Sequence, residues 1–153
     1  MSGINFKLSW IEVVSILLLT LLVGFTEETI FRGIIREKLR HKGSVFYIVF
    51  SSVFFGILHM ANALNGTEFI HILLQVINAL LLGCILALLI ETTGNIIPLI
   101  AFHFIYDALA MVSNENLDQE ILVVSLLNIL YLLYGIYLIL VLSRRNKAHS
   151  LSI

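Results

Sequence analysis

The chain has 153 residues, 59% of them hydrophobic and only 12% charged, with a mean hydropathy of +1.02. A water-soluble domain carries about 25% charged residues, so this composition excludes a soluble globular protein and marks an integral membrane one. A net charge of −1 argues against a nucleic-acid partner, because the basic residues gather at helix ends and form no stripe.

In chain order, apolar runs cover 9–35, 45–64, 69–90, 96–112 and 121–142, separated by polar or glycine-bearing breaks at 36–44, 65–68, 91–95 and 113–120. The single proline and the long Leu/Ile/Val runs predict membrane helices and not barrel strands, which show short alternating segments. The expected fold is all-α, a polytopic bundle of about five transmembrane helices in one domain, 1–153. No small-x-small cleavage site follows the first residues, so the first helix is expected to stay in place. Arg36, Lys38, Arg40 and Lys42 follow the first run, and Arg144, Arg145 and Lys147 follow the last. The positive-inside rule puts both clusters in the cytosol, with 65–68 and 113–120 outside, the N-terminus outside and the C-terminus inside.

Glu27, Glu28 and Arg32 fall within six positions of the first apolar run. An ionisable side chain inside a membrane helix costs about 2.5 to 3.5 kcal/mol even on the lenient scale, so three together require pairing or function. Glu28 and Arg32 are i and i+4 and share a face, whereas Glu27 points about 100° away and keeps its carboxylate free. His59 and His103 lie at similar depths in later runs. His103 and Asp107 are again i and i+4, as are Phe55 and His59, and a carboxylate one turn from an imidazole orients it. Acids and imidazoles from separate helices read as a buried reaction centre, about 12 to 14 Å of helix rise from Arg36 and reached from the cytosol.

The segment Glu27-Glu28-Thr-Ile-Phe-Arg32 matches EExxxR, Phe55-Gly-Ile-Leu-His59 matches FxxxH, and His103-Phe-Ile-Tyr-Asp107 matches Hxxx(N/D). In this order on separate helices they resemble the three motifs of the CPBP intramembrane proteases, which include type II CAAX prenyl endopeptidases and the Abi proteins of bacteriocin processing and immunity. Thr93-Gly94-Asn-Ile-Ile-Pro98 resembles the family's lead into the third motif, and the likeness covers about 23–112. The resemblance implies a hydrolase in a bacterial cell membrane that cleaves a hydrophobic or lipidated peptide or membrane protein. Glu27 would be the base that activates water, with His59 as its partner. Glu28 and Arg32 would form the supporting ion pair, with Phe55 alongside. His103 and Asp107 would polarise the scissile carbonyl, although prenyl endopeptidases usually carry Asn at the position of Asp107. An ionised Asp cannot donate to an oxyanion, so Asp107 is expected to orient His103 or to stay protonated. The family has also been called metalloproteases, and Glu27, His59 and His103 could ligate Zn²⁺. Metal-free carboxylate catalysis is preferred, since no HExxH helix is present.

Plainer readings stand beside these. A Glu–Arg pair alone is commonly structural glue in a bundle. His71, Gln75 and Asn78 form a stripe on one helix face, read as interhelical hydrogen bonding ahead of a lining for a water or substrate path. Tyr131, Tyr134 and Tyr137 read as packing or lipid contact, His41 and His149 as solvated, and the lone Cys84 as packing with no disulfide. The family commonly has more helices before its first motif, so the chain could be a minimal core, a truncated product, or one that needs a partner membrane protein. The alternative functions are a non-catalytic immunity or regulatory protein of the same fold, and a proton-relay transporter, for which repeats and broken helices are lacking.

Overall fold

The computed structural model describes residues 3–61, 69–114 and 117–150. Helix α1 runs Trp10–Glu28 and continues through a widened π-helical stretch, Thr29–Ile35, into the short α2, Arg36–Leu39, and a 3₁₀ turn, Arg40–Lys42. Then follow α3 Ser44–His59, α4 Phe69–Thr93, α5 Ile97–Val112 and α6 Leu117–Ser150. No strand occurs among the described residues beyond one isolated bridge, Ile4 to Ser113. The protein is an all-α membrane helix bundle.

Local chemistry sets the ends. The Ser9 hydroxyl accepts the Glu12 N–H (3.3 Å) while Ser9 N–H donates to Glu12 Oε2 (2.7 Å), a capping box that starts α1. Gly43 turns the chain into α3 at φ 91°, a conformation that side-chain-bearing residues avoid. Gly94 (φ 68°) ends α4, and Pro98 sits in the first turn of α5, where its missing N–H costs nothing.

Three helical stretches are long and apolar enough to cross a membrane: Trp10–Lys42, Phe69–Thr93 and Gln119–Arg145. The apolar α3 and α5 have 16 residues each. At 1.5 Å per residue, such helices reach about 24 Å, short of the ~30 Å hydrocarbon core. The stretch 36–44 differs from the expected break, being helical to Lys42. Its Arg, Glu, Lys and Leu are good helix formers, so the helix outlasts the apolar run. For the same reason α6 passes well beyond 142. The expected outer connection 65–68 lies outside the described residues.

Both basic clusters lie at one end of the bundle. Arg36 Nε pairs with Glu91 Oε1 at 2.6 Å, and Arg145 donates to the carbonyl of the adjacent Thr92. At the opposite end Asn5 N–H donates to the Val112 carbonyl (2.8 Å), and His71 faces Glu120 (3.3 Å).

The helices pack as two groups. Helix α1 lies along α5, and α4 lies between α3 and α6. Nine α4 residues are buried against three in α1, which makes α4 the central helix. Tyr47, Leu82, Ile85, Leu86, Leu88 and Leu138 form the main apolar core around it. Small residues let the backbones approach: a Cβ on Gly56 would lie 3.1 Å from Leu80 Cβ, and one on Gly24 would lie 3.1 Å from the Phe104 backbone nitrogen.

Candidate active site

The site forms where α1 gives way to the π-helical stretch. Glu28 is the last residue of α1, and Arg32 follows on the widened turn, a geometry that in other proteins is frequent at functional sites. Both are buried, at 0% and 1% exposure, so bulk solvent reaches neither charge. Arg32 Nη1 lies 3.2 Å from Glu28 Oε1, the expected i, i+4 pair. Arg32 Nη2 also donates to the Gly83 carbonyl of α4 at 3.1 Å. Its guanidinium carbon sits 4.8 Å from the centre of the Phe55 ring, a cation–π contact. Phe31 meets Phe55 edge to face, with centroids 5.0 Å apart. Phe55 therefore supports the ion pair through its ring.

His103, buried in the middle of α5, is the hub of the acids. Its Nδ1 is 2.9 Å from Glu28 Oε1. Its Nε2 faces Asp107 Oδ2 at 3.4 Å and Glu27 Oε2 at 3.7 Å. A carboxylate can only accept, so His103 carries its proton on Nδ1 and donates it to Glu28. The sequence assigns the orienting role to Asp107; in the structure Glu28 makes the shorter bond, and Asp107 shares the other edge with Glu27. Glu28 thereby does two things, pairing with Arg32 and fixing the His103 ring.

His59 ends α3, half-buried, with its Nδ1 2.9 Å from the Phe55 carbonyl and its ring 4.8 Å from the Phe55 ring. A carbonyl only accepts, so Nδ1 carries a proton, and in the neutral ring Nε2 is the acceptor. His59 interacts electrostatically with Glu27 and Asp107, and Phe55 lies 5.9 Å from the His103 ring, centroid to centroid. The three motifs thus converge on one locus from α1, α3 and α5. For Zn²⁺ the fit is poor: no three His, Cys, Asp or Glu side chains among the described residues are arranged to hold a metal ion.

Two supports escape the motif reading. Gly83 supplies an acceptor to Arg32, and a carbonyl carries no sequence signal. Gly24, one turn before Glu28, brings α5 close: its added Cβ would also meet His103 Cβ at 3.5 Å. Its place beside the acid pair was the available signal.

The polar stripe of α4 does bond between helices. Asn78 Nδ2 donates to Asn128 Oδ1 of α6 (2.9 Å), and the Tyr106 hydroxyl of α5 donates to Asn78 Oδ1 (2.8 Å). Tyr131 adjoins this network through a side-chain contact with Tyr106. Tyr134, Tyr137 and Gln75 are exposed, as is His41, and Cys84 packs against the core. The His149 side chain lies outside the described residues.

No curated protein and no solved structure matches the chain. A sequence model of one family does, the type II CAAX prenyl endopeptidase Rce1-like family, over residues 9–109. The match contains all three motifs and helices α1 to α4 with nearly all of α5, and it leaves out α6. With about two thirds of its length matched and the motif residues of three helices gathered at one buried locus, the chain belongs to the Rce1-like family of type II CAAX prenyl endopeptidases.

Proposed function

We propose that the protein is an intramembrane endopeptidase that hydrolyses a peptide bond in a hydrophobic or lipidated segment, using water activated by Glu27. The observation that carries this reading is the two-edged environment of His103: Glu28 holds Nδ1 at 2.9 Å while Nε2 looks toward Glu27 and Asp107. With Nδ1–H committed to Glu28, Nε2 is a donor only in the imidazolium form. In that form its Nε2–H is aimed where a carbonyl oxygen gains negative charge.

Glu27 takes a proton from water as the water oxygen bonds to the scissile carbonyl carbon. The oxyanion accepts from His103 Nε2–H, and Asp107, ionised, stabilises the imidazolium charge. Glu27 then returns its proton to the leaving nitrogen as the C–N bond breaks. His59 accepts from the same water at its free Nε2. The apolar surroundings hold the substrate segment, and the basic face of the bundle is the cytosolic one by the positive-inside rule.

The test uses purified protein in lipid nanodiscs and a prenylated CAAX peptide. Glu27→Gln keeps the shape and removes the base, and cleavage should fall by about 10² to 10⁴-fold, the usual contribution of general base catalysis. Cleavage by the unaltered protein should survive stringent chelation. Loss on chelation with restoration by stoichiometric Zn²⁺ would make Glu27 a metal ligand or metal-water base. Binding of the peptide without cleavage, unchanged in Glu27→Gln, would establish the non-catalytic role.

A further inference from the structure

Hydrolysis inside a bilayer needs water at a site that lipid surrounds. On the basic face, a polar pocket of about 300 Å³ opens between Arg36, Glu37, Arg40, Ser44, Tyr47 and Glu91. Its charges are already matched, Arg36 to Glu91 (2.6 Å) and Arg40 to Glu37 (3.1 Å), so it offers an anion no surplus positive charge. Ser44 also donates to Glu91, which closes the rim. Water is the ligand that such a balanced, strongly polar pocket takes.

Below the pocket lies a series of buried polar atoms without a well-formed hydrogen bond among the described residues: Tyr47 OH and Ser51 Oγ, which meet only each other, then Arg32 Nε and Nη1 and Glu28 Oε2. Tyr47 and Ser51 are one turn apart on α3, at 1% and 0% exposure. Tyr47 interacts electrostatically with Arg36 and Glu91 on the pocket side and with Arg32 on the site side. Arg32 and Glu28 then continue to His103 through contacts of 3.2 and 2.9 Å. Buried polar groups are nearly always satisfied, and an orphaned hydroxyl typically costs about 1 to 3 kcal/mol. Several neighbouring orphans between a polar pocket and a charged site can be satisfied together by bridging waters.

We propose that Tyr47 and Ser51 line an internal water passage from the polar pocket on the basic face to the Glu28–His103 site. Tyr47 forms its floor at the pocket and Ser51 its next step inward. The passage rests on the hydrolase reading for its use, but its existence does not, because it is defined by polar atoms alone.

Thiol labelling tests it without any activity assay. With Cys84→Ala as a silent background, Ser51→Cys and Tyr47→Cys are treated in nanodiscs with methanethiosulfonate ethylammonium, alongside Phe54→Cys, whose parent side chain is exposed on the outer face of α3. The thiolate is the reacting species and forms only where water reaches, so both passage positions should react roughly tenfold or more faster than the lipid-facing control. Bulky Tyr47→Trp should slow the reaction of Ser51→Cys. Labelling at Tyr47→Cys with none at Ser51→Cys would close the pocket at its floor and overturn the passage. Equal rates at Ser51→Cys and Phe54→Cys would overturn it as well. Labelling as expected in a protein that never cleaves peptide would keep the passage and discard the hydrolase.

Discussion

Along α1 and α5 the buried contacts are mostly ionic, with Glu28, Arg32 and His103 bonded to one another, whereas around α4 the buried residues are mainly apolar and the polar ones neutral. Only Thr20, Gly24 and Glu28 of α1 are buried, while α4 buries Leu82, Ile85, Leu86, Leu88 and Ile90 among others. In lipid, apolar burial gives little net drive for helices to associate, and close packing and polar bonds decide. The α3–α4–α6 group therefore holds together by close packing and an Asn–Asn bond. The α1–α5 pair depends on the same side chains that would perform the chemistry. A change in the α4–α6 contacts should alter stability alone, and a change in the α1–α5 pair should alter both.

The largest effect is expected at Arg32. Removing one partner of a buried pair leaves the other charge stranded, at a cost of about 3 to 5 kcal/mol. Arg32→Leu strands Glu28 and frees its grip on His103, so the detergent-solubilised protein should lose most of its stability and all cleavage. Thermal unfolding followed by circular dichroism measures the first. Arg32→Lys should recover stability only in part, since one ammonium cannot reach both Glu28 and the Gly83 carbonyl while lying on Phe55. Normal stability in Arg32→Leu would place the α1–α5 association elsewhere.

This division was partly legible in the sequence. The i, i+4 spacings of Glu28 with Arg32 and of His103 with Asp107 placed those pairs on common faces, and the structure keeps both, at 3.2 and 3.4 Å. That Glu28 also takes the Nδ1 of His103 could not be read, because the contact spans 75 positions and depends on how α1 rotates against α5. The basic clusters announced their shared end through charge alone. The helical continuation to Lys42 was hidden because hydropathy reports where a helix leaves the apolar phase, not where it stops. The polar stripe on α4 declared that α4 meets polar partners and left Asn128, Tyr106 and Tyr131 unnamed.

A sharper comparison comes from two glycines with opposite expected signs. Gly24 faces the backbone of α5, whose nitrogen would lie 3.1 Å from an added Cβ and cannot rotate away. Gly24→Ala should destabilise by about 1 to 3 kcal/mol, as overpacking does, and should reduce cleavage by displacing His103. Gly135 of α6 would meet only Ile85 Cδ1, at 3.3 Å, the mobile tip of a side chain. Gly135→Ala should be neutral or stabilising by up to about 1 kcal/mol, because alanine restricts the unfolded chain and favours helix. Its cleavage rate should match that of the parent. Equal destabilisation by the two would erase the distinction between the groups.

The smallest effect is expected where the two groups touch through neutral polar atoms. Tyr106 of α5 donates to Asn78 of α4, which donates to Asn128 of α6, so the network is the bridge by which α6, outside the family match, can hold α5 in place. Interhelical hydrogen bonds in membrane proteins average about 0.6 kcal/mol, since the unfolded helices find other partners in the bilayer. Asn128→Ala should therefore lower stability by roughly that amount, with cleavage unchanged, because it leaves the Tyr106–Asn78 bond intact. Tyr106→Phe should cost a similar amount of stability and also change cleavage, since Tyr106 is the residue before Asp107 and its bond fixes the rotation of α5. A double-mutant cycle between the two sites measures whether they act as one unit: a coupling of about 0.5 kcal/mol or more makes α6 a support for the His103–Asp107 face, and additive effects make it a separate wall of the bundle.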